Sequence, residues 1–267
     1  MLQLLRVEWM KLKNYRTFWI LLGITAVSIP GINYMLYNLM DNSFPKNHGK
    51  SILGTPFGFP DIWQTASWNA SMLFLIPAIL IITLTTNEFT YKTHRQNIID
   101  GWSRGQFIGV KLIEILILSV FTTLILVLTA LAFGYLGNKV PEGISVWSES
   151  RFVFFYFVQM LSYSLIAFVL SILIKRAGLA MGLFFIYLIV EQIIVGVLRN
   201  VQHITAVNYL PEEVTDRLIP QPYAKGIIQQ TNVADWEHHI PIYLTVAAVY
   251  ILAYCLLTGR YFLKNDL

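Results

Sequence analysis

The chain has 267 residues, of which 56% are hydrophobic and only 13% charged, with 19 basic and 15 acidic residues and a net charge of +4. Soluble domains carry about 25% charged residues, so a water-wetted globule is excluded, and the dispersal of basic residues at the edges of apolar blocks excludes a nucleic-acid module. The single cysteine, Cys255, excludes an intramolecular disulfide and a cysteine metal cluster.

The first segment, residues 1–16, places Leu2, Leu5, Trp9 and Leu12 on one helical face, with Arg6 and Lys13 away from it. This predicts a helix lying in the membrane interface; an ordinary basic flank of a span is the competing reading. The run that follows is too long for a signal peptide and has no small-residue cleavage site, so a retained first span is expected.

A membrane helix needs about 20 mostly apolar residues. Six segments meet this, roughly Thr17–Met40, Ser67–Thr86, Leu112–Leu136, Phe152–Ile174, Gly178–Leu198 and Pro241–Phe262. Pro30 and Pro77 fall inside the first two, where kinks rather than breaks are expected. With the N-terminus inside, twelve of the nineteen basic residues fall on short cytoplasmic pieces and seven on longer external ones. This bias predicts that both termini face the cytoplasm.

Two connecting segments are more than plain loops. Residues 87–111 are cytoplasmic and dense in polar side chains. Residues 199–240 are external and mix apolar patches with Pro211, Pro220 and Pro222, a pattern that suits short helices buried against protein. The fold class expected is therefore an all-α integral membrane protein, a single domain of six spans with an N-terminal interfacial helix.

Catalytic patterns are few. His48-Gly49-Lys50-Ser51 ends like a phosphate-binding loop, but Phe44 stands where the first glycine is required. Glu212-Glu213-Val214-Thr215-Asp216-Arg217 matches the Glu-Glu-x-x-x-Arg string of an intramembrane protease family, on an external loop and apart from any histidine-bearing span. His238-His239, with Asp235 and Glu237, reads as a solvated polar turn before the last span rather than a metal site.

Charges inside spans are costly and each needs a reason. Glu114 stands one turn into the third span, three residues after Lys111, and reads as an interfacial ion pair. Glu191, with Gln192 beside it, lies about 10 Å from the outer end of the fifth span. It either lines a polar translocation path or reaches outward to Arg199.

The stretch Asn87-Glu88-Phe89-Thr90-Tyr91-Lys92-Thr93-His94-Arg95-Gln96-Asn97-Ile98-Ile99-Asp100-Gly101-Trp102-Ser103-Arg104, with Lys111 beyond it, resembles the first cytoplasmic loop of type-2 ABC transporter permeases. Glu88, Thr93, Arg95, Ser103, Arg104 and Lys111 fall at matching places. Lys92 replaces the usual glycine, and Gly101-Trp102 stands where a proline is common. The interfacial helix, six spans, cytoplasmic termini and structured external segment extend the resemblance over essentially the whole chain.

The resemblance implies a permease subunit of an exporter in the bacterial inner membrane, itself neither an enzyme nor a cofactor binder. ATP and magnesium would be bound by a separate cytoplasmic ABC ATPase, and a second permease, identical or not, would complete the path. It also implies a coupling helix that docks on that ATPase. Thr93–Asp100 is the expected docking piece, with Thr93 as its N-cap, and Glu88, His94, Arg95, Gln96, Asn97, Asp100, Ser103 and Arg104 as the ATPase-coupling set. A membrane enzyme, chiefly an intramembrane protease, and a non-transporting membrane scaffold are the alternatives from other classes.

Overall fold

The structure is a computed structural model and describes residues 2–43, 56–99, 101–137, 143, 145–200, 204–223 and 225–264. Among them there is no strand. The helices are α1 (Leu2–Lys13), α2 (Arg16–Ser43), α3 (Ile62–Ser71), α4 (Leu75–Thr90), α5 (Thr93–Ile99), α6 (Arg104–Gly137), α7 (Arg151–Ile174), α8 (Ala177–Asn200), α9 (Glu213–Asp216) and α10 (Lys225–Lys264), with one 3-10 turn at Thr205–Tyr209.

Five of these, α2, α6, α7, α8 and α10, are long and apolar enough to cross a membrane. The expected second span is two helices, α3 and α4, which meet at a bend of 46° and qualify only as a pair. Pro77 explains the break. It lacks an N–H, and its ring would clash with the carbonyl four residues back. The chain before it therefore tightens into short turns, with the N–H of Leu73 on the carbonyl of Ala70 (3.0 Å) and that of Ile76 on Leu73 (3.2 Å). The helix then restarts with Pro77 in its first turn, where a missing N–H costs little. Pro30, by contrast, is carried inside an unbroken α2.

The last span also departs from expectation. Helix α10 begins at Lys225 and passes through Pro241 without interruption, so His238-His239 lie within a helix rather than a turn. Packing upstream of the proline holds it: the Trp236 ring stacks on Phe152 (6.0 Å), and its indole N–H donates to the carbonyl of Arg217 (2.7 Å). Among the described residues, the segment that follows α8 is irregular only before this helix begins.

Helix α7 is the hub of the bundle. Its apolar residues run all round it, as in a largely buried helix, with 67% of its apolar stretch buried, and it packs on α3, α4, α6, α8 and α10. It ends at Lys175, which adopts a left-handed conformation (φ 56°) and donates its N–H to the carbonyl of Ser171 (2.9 Å). This cap reverses the chain directly into α8. Large apolar side chains on the outer faces of other helices, among them Val27, Leu128, Ile189 and Leu252, are more than half exposed. Apolar surface on this scale needs a lipid or protein cover.

The two ends of the bundle differ. At one, Phe89, Phe107 and Phe262 bring together α4, α6 and α10. There the Lys175 ammonium lies 5.5 Å from the Phe89 ring centre, and Lys11 of α1 lies 5.9 Å from that of Trp102. The other is bound by aromatic pairs such as Trp63–Trp147 (5.2 Å, stacked) and Tyr37–Phe57 (5.5 Å). The basic segments at residues 6–16, 92–111 and 175–176 all lie at the first end.

Candidate functional site

Lys111 sits two turns into α6 and is only 3% exposed. Its ammonium touches the Glu8 carboxylate of α1 and lies 3.1 Å from Glu114 of α6 and 3.3 Å from Glu88 of α4. Lys11 joins the same group, at 2.9 Å from Glu8 and 3.4 Å from Glu88. An isolated ammonium buried in this way would cost several kcal/mol, so Lys111 is tenable only while α1, α4 and α6 all present their carboxylates. The Lys111–Glu114 pair matches expectation. Glu8 and Glu88 are the partners that sequence spacing did not indicate, because they come from helices 103 and 23 residues away.

The short helix α5 hangs from this hub. The Glu88 carboxylate accepts the Thr93 hydroxyl, and its backbone carbonyl lies 2.7 Å from His94 Nδ1. The His94 ring is buried and packs on Phe89 at 4.9 Å. Thr93 is thus not the cap expected of it. It is the first helical residue, and Lys92, held at φ 55°, precedes it with its carbonyl accepting the N–H of Arg95 (3.1 Å). Lys92 is thus a non-glycine residue in a left-handed conformation.

The remaining expected residues divide by role. Arg95 and Gln96 are exposed on α5. Gly101 turns the chain at φ 97°, a conformation that suits glycine. Ser103 and Gln106 form a reciprocal cap at the start of α6: the N–H of Gln106 donates to Ser103 Oγ (3.2 Å) and the N–H of Ser103 to Gln106 Oε1 (2.9 Å). This Ser-x-x-Gln signal is readable in sequence. Arg104 opens α6. The side chain of Asn97 and the whole of Asp100 lie outside the described residues. Glu88 thereby ties α5 to α4, and Lys111 ties α4 to α6 and α1.

The opposite end holds a second polar group. Glu191 is 4% exposed and accepts the Tyr187 hydroxyl (2.6 Å) and the N–H groups of Glu212 (2.7 Å) and Glu213 (3.1 Å). It satisfies the first N–H groups of the one-turn helix α9, which have no partner within the helix. Arg199 does not meet Glu191; it pairs with Glu213, which also binds Arg217 at 2.7 Å. Gln192 is exposed and takes no part.

Asp216 accepts Gln159 and the Tyr163 hydroxyl, each at 2.8 Å. Burial nonetheless raises its carboxyl to about 6. Glu212 is 1% exposed, and burial, reinforced by the charges of Glu191 and Asp216, pushes its carboxyl up to about 9. It is therefore protonated at neutral pH. The Glu-Glu-x-x-x-Arg string is in this way absorbed into packing of the segment between α8 and α10.

A comparison with curated proteins finds no match. A family profile does match, from residue 23 to residue 267, covering α2 from its second turn through to the end of the chain. The chain belongs to the family described as protein of unknown function DUF2705.

Proposed function

We propose that the chain is the membrane-spanning permease subunit of an ATP-driven exporter. In this reading α2, the α3–α4 pair, α6, α7, α8 and α10 are six spans, and the basic end faces the cytoplasm of a bacterial cell. Helix α1 lies in the interface there, and α5 docks on a separate ATPase that binds ATP and magnesium. A second permease, identical or not, completes the path. The segment between α8 and α10, held by Glu191 and the Glu213 ion pairs, closes its outer end.

The observation that carries this reading is the attachment of α5. A seven-residue helix has too few backbone bonds to hold its own shape in water. Here it is fastened by Thr93 and His94 to Glu88, and through Glu88 to a buried lysine shared by three helices. An ordinary connecting loop needs no such anchorage. A lever that must move spans without bending does.

The test uses the full chain in proteoliposomes with the ABC ATPase that co-purifies with it from native membranes. Arg95→Glu reverses charge on the exposed face of α5 and leaves the hub intact. ATPase binding and substrate-stimulated hydrolysis should fall at least tenfold, with the thermal midpoint unchanged. Wild-type coupling in Arg95→Glu, or no interaction of the wild-type chain with any ATPase, would remove the exporter reading.

A further inference from the structure

An apolar groove of about 290 Å³ runs between α1, α2, α4 and α6. Trp9 and Trp19 stand together at its mouth, edge to face at 6.2 Å. Ile117 and Phe121 line its length, and Glu114 bounds the end nearest Lys111. From Glu114 to Phe121 is seven residues, about 10 Å along α6, which accommodates the upper part of an acyl chain lying parallel to the helix. The wall is almost wholly hydrocarbon, so it selects an apolar chain.

The rim selects what that chain is attached to. Between residues 4 and 16 the charged side chains are Arg6, Glu8, Lys11, Lys13 and Arg16. Glu8, the one acid, is buried against Lys111 and Lys11. Arg6, Lys13 and Arg16 are exposed, and none has an ion-pair partner among the described residues. The exposed charge of this segment is therefore positive, and Lys13 and Arg16 adjoin the groove residues Leu12, Phe18 and Trp19 in the chain, the Trp19 indole donating to the Lys13 carbonyl (3.0 Å); Glu114, the one charged residue of the lining, is paired with Lys111. Tryptophans favour the level of lipid headgroups, and each basic residue at an anionic surface strengthens binding about fivefold.

We propose that this groove is a binding site for an anionic phospholipid, with one acyl chain between α1 and α6 and its headgroup on Arg6, Lys13 and Arg16. The lipid would wedge α1 against the Lys111 hub from its open side. The site requires that the bundle sit in a bilayer. It does not require that the chain be a permease, so it stands or falls apart from the exporter reading.

Native mass spectrometry of the purified full-length protein tests it, with phosphatidylglycerol and phosphatidylcholine of identical chains as probes. Phosphatidylglycerol should be retained at least tenfold more strongly. Ile117→Trp, which fills the groove, and the triple variant R6Q/K13Q/R16Q should each reduce its retention by tenfold or more, whereas Leu128→Trp, on an outward face of α6, should not. Equal retention of the two lipids, or no effect of the triple variant, overturns the anionic assignment. Unchanged retention in Ile117→Trp, or dimer formation through α1 and α2 in place of lipid uptake, overturns the groove.

Should Ile117→Trp fail to fold, fluorescence decides. Phosphatidylglycerol brominated on its chains should quench the wild type more than a W9F/W19F variant. Equal quenching in the two proteins would sink the proposal.

Discussion

Replacing Lys111 with methionine removes the only fully buried cation among three buried carboxylates while keeping most of the side-chain volume. Glu8 and Glu88 would then share Lys11, which is one third exposed, and Glu114 would lose its ion pair with Lys111. Breaking a buried ion pair by deleting one partner costs about 3–5 kcal/mol; because Lys11 still reaches Glu8 and Glu88, the lower end, about 3 kcal/mol, is expected here. That is a large share of a total stability of about 5–15 kcal/mol. Adding Glu8→Gln, Glu88→Gln and Glu114→Gln to Lys111→Met removes the stranded charges and should recover part of the loss, because a buried neutral amide costs less than a buried unpaired carboxylate. Equilibrium unfolding in mixed detergent measures the stabilities, and amide exchange measures whether residues 93–99 loosen with the hub. A loss below about 1 kcal/mol, the range of exposed pairs, would refute the reasoning, because Lys111 would then be behaving as a hydrated surface charge.

Three further outcomes follow from particular contacts. Ser103→Ala removes half of the reciprocal cap on α6 and should cost about 1 kcal/mol, with faster amide exchange confined to Arg104–Gln106. Gly134→Ala should cost about 1–3 kcal/mol in the same unfolding assay, because a Cβ there would stand 2.5–2.9 Å from ring atoms of Phe59, which is itself buried against Trp63 and Tyr135. Glu212 holds its proton up to about pH 9 when folded but loses it near 4.5 when exposed. Between those values the folded chain binds more protons than the unfolded one, so stability should fall as pH rises. Glu212→Gln, neutral at every pH, should flatten that decline above pH 6.5 in thermal melts, and an unchanged slope would show that another group is responsible.

Sequence reading located most helices because hydrophobic block length is a strong signal once lipid replaces water as the solvent. The apolar blocks coincide with α2, α7 and α8 to within a few residues, α6 ends where expected but begins at Arg104, eight residues before Leu112, and the Lys111–Glu114 pair follows from helical spacing alone. It failed where tertiary contacts decide. Helix α10 extends upstream of Pro241 because Trp236 finds Phe152 and the carbonyl of Arg217, partners about 84 and 19 residues away. The break at Met72–Phe74 belongs to Pro77, a residue type that signals a kink but not its own place in a first turn.

Glu8 is the hub residue least legible in the sequence. On α1 it looked like one more charge in a basic flank, although an acid among basic residues on a helix with an apolar face was the one signal that it pairs inward. Glu191 was recognised as an expensive buried charge. Its partners were not recognised, because they are backbone N–H groups of a helix one turn long, and backbone donors leave no trace in residue identity. Thr93 shows the reverse: its type suited a cap, but Glu88 was close enough to take its hydroxyl.

Photo-crosslinking from position 95 tests the central claim most directly. A photoreactive amino acid in place of Arg95, on the exposed face of α5, would be incorporated into the full chain in its own cells and activated in intact membranes. An ATP-binding subunit of an ABC transporter should be the principal adduct, and a second reporter at Leu128 on the outward face of α6 should not capture it. Adducts to lipid alone, or the same pattern from both positions, would contradict a docking role for α5.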